Sequence, residues 1–174
     1  MTVPRAGGLS LADHVVLTLL TEEPRHGWAV VRELAPDGPV GRVWTLSRPL
    51  TYRTLDGLVT RGLARPMATE PGGGARRTIV AATPAGRRRA RTWLVTPVPH
   101  LRDVRTELLL KLVLAPRLGV DVRSLLRDQE RVFRPIIAAL ERAAAAPDAD
   151  VVDRWRSESA QAVARFLAAA RARR

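Results

Sequence analysis

Three consecutive glycines, Gly72–Gly74, stand between two short β-prone stretches at 63–69 and 77–83, and this hairpin sits inside an otherwise helical chain. A lone hairpin among helices narrows the possible architectures sharply. Before it, Ser10 is placed to cap a first helix with Asp13 three residues on. Leu11, Val15, Val16, Leu19 and Leu20 follow at helical spacing, and Glu22-Glu23-Pro24-Arg25 ends the run. A shorter helix is expected from about His26 to Leu34, with Trp28, Val31 and Leu34 on one face, stopped by Pro36-Asp37-Gly38-Pro39. A third begins near Ser47, accepts Pro49 in its first turn, and carries Leu55, Leu58, Val59 and Gly62 along one side. After the hairpin, Thr83 caps a fourth helix with Pro84 at its first position. Helix, helix, helix, two-stranded wing, helix is the order of a winged helix-turn-helix.

Thr96-Pro97-Val98-Pro99 reads as a short stiff linker, which divides the chain into a DNA-binding domain over 1–96 and a helical domain over 97–174. In the second part a helix is expected over 101–115, ending before Pro116. The segment 121–146 has a long apolar stripe interrupted by Pro135, which predicts a kink or two shorter helices. Over 149–172, Val152, Trp155, Ser159, Ala162, Val163, Phe166 and Ala170 fall on one seam close to an a/d pattern. The fold class expected is therefore mainly α with a small β-wing: an N-terminal winged helix-turn-helix plus a C-terminal α-helical dimerisation domain.

Charge points to the partner. The 174 residues carry a net +12, and residues 47–91 alone hold ten arginines against Asp56 and Glu70. Such a concentration of cations calls for a polyanion, with nucleic acid first and an anionic membrane second. No apolar run approaches the ~18 residues of a membrane span. The opening MTVPRAGGLS lacks the apolar stretch of a secretory signal, so a cytoplasmic protein without a membrane partner is expected. There is no cysteine, which excludes disulfides and thiolate metal sites. The three histidines are scattered and no paired acids form a recognisable arrangement, so neither an enzyme nor a bound cofactor is expected. The glycine run lacks the following Lys-Ser/Thr of a phosphate loop.

The ordered set His26-Gly27-Trp28, Tyr52-Arg53-Thr54-Leu55, Leu58, Gly62-Leu63, the glycine-rich wing at 72–77, Thr83-Pro84-Ala85-Gly86 and Trp93-Leu94 resembles the PadR-type transcription regulators. The set covers roughly residues 10–95. The stretch Arg105–Leu112 is similar, more loosely, to that family's C-terminal helical domain. The resemblance implies a homodimer, usually a repressor, whose C-terminal helices pair and whose DNA affinity a ligand often modulates.

On these grounds the candidate contacts to double-stranded DNA are Arg48 and Thr51 at the start of the third helix, Arg53 on its outer face, and Arg76 and Arg77 at the base of the wing. Tyr52, the only tyrosine, is implied by the resemblance to touch the DNA backbone. Its place at the edge of the Leu55/Val59 face also suits a residue that covers the core. His26 suits a structural cap. The arginines at 87–91 suit a solvated helix face as well as DNA. The aromatic residues Trp28, Trp93, Phe133 and Trp155 are expected in the core or the dimer seam, where they would also suit a pocket for a small apolar or aromatic effector. The leading reading is a sequence-specific regulator on a palindromic operator. The alternatives are a non-specific architectural DNA-binding protein and a small-molecule carrier with a vestigial DNA domain.

Overall fold

The computed structural model describes residues 8–70 and 77–172. Helix α1 (Leu11–Glu22) starts in a reciprocal cap: the Asp13 amide donates to Ser10 Oγ (3.1 Å) and the Ser10 amide donates to the Asp13 carboxylate (2.8 Å). Val15, Val16, Leu17, Leu19 and Leu20 are all buried, so α1 is enclosed on most sides and forms the centre of the N-terminal core. A two-residue strand β1 (Arg25–His26) follows where the sequence reads only as a turn. His26 then caps α2 (Gly27–Glu33), its Nδ1 accepting from the Ala29 amide at 3.1 Å. Val30 and Leu34 are the buried positions of this segment, whereas Trp28 is turned outward.

Turns after Leu34 lead to α3 (Arg48–Thr60), which ends on Gly62 at φ +66°. The Leu63 amide donates to Leu58 O and the Gly62 amide to Val59 O, both at 2.9 Å, a pair that satisfies the last carbonyls of the helix. A side chain at position 62 would strain that left-handed backbone. Strands β2 (Ala64–Glu70) and β3 (Arg77–Ala82) pair antiparallel, and β1 adds to the far edge of β3, giving the order β1-β3-β2. The register slips between Pro66 and Ala68, which leaves Met67 as the extra residue of a bulge. Thr83 Oγ1 accepts from the Gly86 amide and opens α4 (Pro84–Val95).

The chain divides into two compact units. One comprises the chain up to Leu94 together with Leu109–Val120. The other comprises Val95–Leu108 and Asp121–Arg174. The helix expected over 101–115 is broken into a 3-10 turn (Leu101–Asp103), a π turn (Val104–Leu108) and the short α5 (Leu109–Leu114), and the break falls where the chain leaves one unit for the other. In the second unit α6 (Val122–Ala144) packs on α7 (Val151–Ala172) around Leu125, Leu126, Phe133, Ala160 and Leu167. Pro135 does not split α6. It is exposed, so water can satisfy the Arg131 carbonyl that proline leaves without a donor. Gln129 is fully buried and clasps the linker from within this core: its Oε1 accepts from the Val98 amide and its Nε2 donates to Val98 O, both at 2.8 Å. Among the described residues no helix is long and apolar enough to cross a membrane.

Candidate nucleic-acid interface

Helix α3 has two unlike faces, set by its own spacing. Thr51, Leu55 and Leu58 lie at i, i+4 and i+7 and are buried against the rest of the unit. Arg48, Leu50, Tyr52, Arg53 and Asp56 are exposed on the other side. Thr51 is thus a core residue and not a DNA contact. It is fully buried, and its hydroxyl donates back to Ser47 O at 3.1 Å. Its place four residues before Leu55 was the signal for this. Arg53 keeps its expected outward position, and among the described residues neither Arg48 nor Arg53 has a carboxylate partner.

At the start of α3 three side chains gather on the surface. The Arg48 guanidinium carbon lies 5.7 Å from the Trp28 ring centroid and 5.9 Å from the Tyr52 ring centroid. Both rings stay partly exposed, Trp28 at 43% and Tyr52 at 39%. Tyr52 is seated on Gly27: a methyl group built there would come 2.5 Å from Tyr52 Cε1. So α2 supplies a ring and a bare backbone, α3 supplies the cation and the second ring, and the result is a cation within reach of two aromatic faces. Leu50, two residues after Arg48, is also 44% exposed.

In the wing, Arg65 and Met67 are exposed on β2. Arg76 lies outside the described residues, and of Arg77 only the backbone, as the first residue of β3, is described. Arg87 turns back to donate to Ala82 O at 2.7 Å and so ties α4 to the wing, while Arg88, Arg89 and Arg91 are exposed. Arg61 pairs with Asp13 at 2.7 Å, which joins the end of α3 to the start of α1.

Behind α2 lies an ion-pair network that sequence reasoning missed, because its members are far apart in the chain. Arg117 donates to Glu22 (2.6 and 2.9 Å) and to Glu33 (2.9 and 3.0 Å). Arg25 on β1 reaches Glu22 at 2.8 Å, Glu23 at 2.9 Å and Glu33 at 3.1 Å. Hydrogen bonds from Arg117 hold the Glu33 carboxyl below the usual range, against the opposing effect of burial, and the Arg117 guanidinium is correspondingly raised. The arginines behind α2 are thus paired with carboxylates, whereas among the described residues Arg48 and Arg53 on α3, like Arg65 on β2 and Arg88, Arg89 and Arg91 on α4, are exposed without one.

The four aromatic residues expected to line an effector pocket are placed differently. Trp93 is buried, its ring stacked 5.2 Å from the His14 ring with Lys111 Nζ 5.2 Å from its centroid. Phe133 is sealed between α6 and α7, and Trp155 is 72% exposed. Trp28 borders an open hollow of ≈ 400 Å³ with Arg25, His26, Ala29, Arg32, Glu33, Asp37, Gly38 and Pro39, and none of the other three lines it.

No protein-family profile and no curated protein matches the chain. Solved structures do. Bacillus subtilis PadR in complex with operator DNA is similar at 17% identity and a TM-score of 0.47, over 94% of this chain and 98% of that one. The same protein in complex with p-coumaric acid is similar at 16% identity and a TM-score of 0.45, over 94% and 98%. The protein smu.1604c from Streptococcus mutans UA159 is similar at 15% identity and a TM-score of 0.44, over 92% and 98%. By its own element order, α1-β1-α2-α3-β2-β3-α4 followed by a helical pair, the chain is a winged helix-turn-helix with a C-terminal helical unit, similar along nearly its whole length to PadR structures.

Proposed function

We propose that this protein is a DNA-binding transcriptional regulator that reads a palindromic operator as a homodimer and acts as a repressor. The observation that carries the reading is the outer face of α3: Arg48, Tyr52 and Arg53 stand exposed on a helix whose opposite face is locked into the core, and among the described residues neither arginine has a carboxylate partner. A helix so anchored is rigid enough to enter a major groove of about 12 Å width. The exposed Arg65 and Met67 on the bulged strand of the wing lie where flanking backbone would be met. Backbone contacts would supply most of the affinity and the outward α3 side chains the choice of sequence.

Support for the homodimer comes from the second unit. Val151, Val152 and Trp155 leave an apolar stripe exposed at the start of α7, more than a solitary helical pair would be expected to leave in water. Two readers spaced about one DNA turn apart, near 34 Å, would then match a two-fold site. A ligand would release such a repressor only by favouring one arrangement of the two readers over another.

The test is binding to the DNA upstream of the protein's own gene, against scrambled competitor at about 150 mM salt. A specificity ratio of about 10³ or more supports a sequence-specific regulator. Equal affinity for both DNAs supports an architectural protein instead. Absence of salt-sensitive binding to either removes the reading.

A further inference from the structure

We propose that Trp28 is a positioning residue for DNA binding: with Tyr52 it holds the Arg48 guanidinium as a pre-set clamp for a backbone phosphate. The inference rests on the DNA-binding reading above and names the device that sets its first contact. A free arginine side chain samples many rotamers and loses that freedom when it grips a phosphate. Contact with two rings would take part of that freedom from Arg48 before DNA arrives. Its guanidinium carbon stands 5.7 Å from one ring centroid and 5.9 Å from the other, within the distance at which a cation is attracted to an aromatic face. A guanidinium set over a ring face keeps N–H groups free to donate to a phosphate.

The arrangement is specific to these positions. Trp28 lies on α2 and contributes no positive charge, yet it is 43% exposed where an internal tryptophan would be covered. Tyr52 is brought close because residue 27 is glycine, and any side chain there would meet its ring. Arg48 has no carboxylate partner among the described residues, so its charge is available to an anion from outside. A surface tryptophan kept beside an unpaired arginine thus has a role in binding that it would not have in packing.

The experiment measures affinity for a short mixed-sequence duplex as a function of salt, between about 50 and 200 mM, for wild type, Trp28→Ala, Trp28→Phe, Arg48→Ala and the Trp28→Ala/Arg48→Ala double variant. Arg48→Ala should weaken binding and reduce the salt slope by about one. Trp28→Ala should weaken binding by about 2- to 5-fold, the worth of an exposed cation–aromatic contact, with the slope retained because the phosphate contact still forms. Trp28→Phe should recover much of the loss. The double variant should bind no worse than Arg48→Ala alone. Thermal unfolding of each variant confirms that the fold is intact, and Trp28→Phe carries the test if Trp28→Ala is not folded. Additive losses in the double variant overturn the proposal, since Trp28 would then act independently of Arg48. Wild type without salt-sensitive DNA binding overturns the DNA-binding reading and the clamp together, whereas normal wild-type binding with additive losses overturns the clamp alone.

Discussion

At the scale of single residues, α3 separates an exposed face from a buried one. Arg53 points outward, without a carboxylate partner among the described residues, and Thr51 points inward, though both are polar and only two positions apart. Arg53→Ala should therefore cost about 1–3 kcal/mol of specific DNA binding if it reads a base, with the unfolding temperature unchanged. Operator affinity equal to wild type would remove Arg53 from the interface. Gly27 makes a complementary case. Its backbone torsions are ordinary, so Gly27→Ala keeps or slightly improves the propensity of α2. The added methyl must nevertheless displace the Tyr52 ring. Stability within about 1 kcal/mol of wild type with weakened DNA binding is the expected outcome, read by denaturant unfolding and by titration with a duplex. Binding unchanged would mean that the place of Tyr52 does not matter.

At the scale of elements, what could be read from the sequence was what depends on near neighbours. The Ser10/Asp13 cap of α1, the His26 cap of α2 and the proline at the start of α3 are local devices, and each stands where its spacing predicts. Strand β1 was illegible because two residues have no periodicity, and its existence depends on β3 more than fifty positions away. The Arg25–Glu33–Arg117 network was hidden for the same reason. Thr51 is buried as its i, i+4 relation to Leu55 dictates, although a place in the first turn of a helix suits exposure equally well. The burial of Trp93 and Phe133 and the exposure of Trp28 and Trp155 were likewise not legible, because chemical likeness among aromatic residues says nothing of their surroundings.

The network joins α1, β1, α2 and the 3-10 turn at Pro116–Leu118, and it gives those elements a dependence on pH. The folded-state value of Glu33 is depressed, so its contribution is complete above the ordinary carboxylate value of 4.5 and is lost as pH falls through the lower folded value. Glu33→Gln should destabilise the protein at neutral pH, by about 1–3 kcal/mol for a pair that is only partly buried. It should also flatten the loss of stability below about pH 4.5. Denaturant unfolding at neutral and acid pH checks both, and a mutant whose acid profile matches wild type would deny Glu33 this role.

At the scale of the whole molecule, the proposed reading face and the proposed pairing face fall in different units. The apolar residues Val151, Val152 and Trp155 stand in the unit that lacks α3. Trp155→Glu should shift the protein from dimer to monomer in analytical ultracentrifugation while leaving the helical circular dichroism intact. It should weaken operator binding more than binding to a half-site, because only the operator needs two readers held together. A dimer that survives the change would place the interface elsewhere.

The clasp of Gln129 on Val98 has one more consequence, in exchange kinetics. Pro97 and Pro99 carry no amide hydrogen, so Val98 supplies the only one between them, and that hydrogen is held by a buried side chain of α6. It can be replaced by deuterium only when the clasp opens and admits water. A segment of this composition would ordinarily exchange within the dead time of the measurement. Here a single slowly exchanging proton in the linker would time the opening of the helical unit from its edge, and Gln129→Ala would return it to the rate of an unprotected amide.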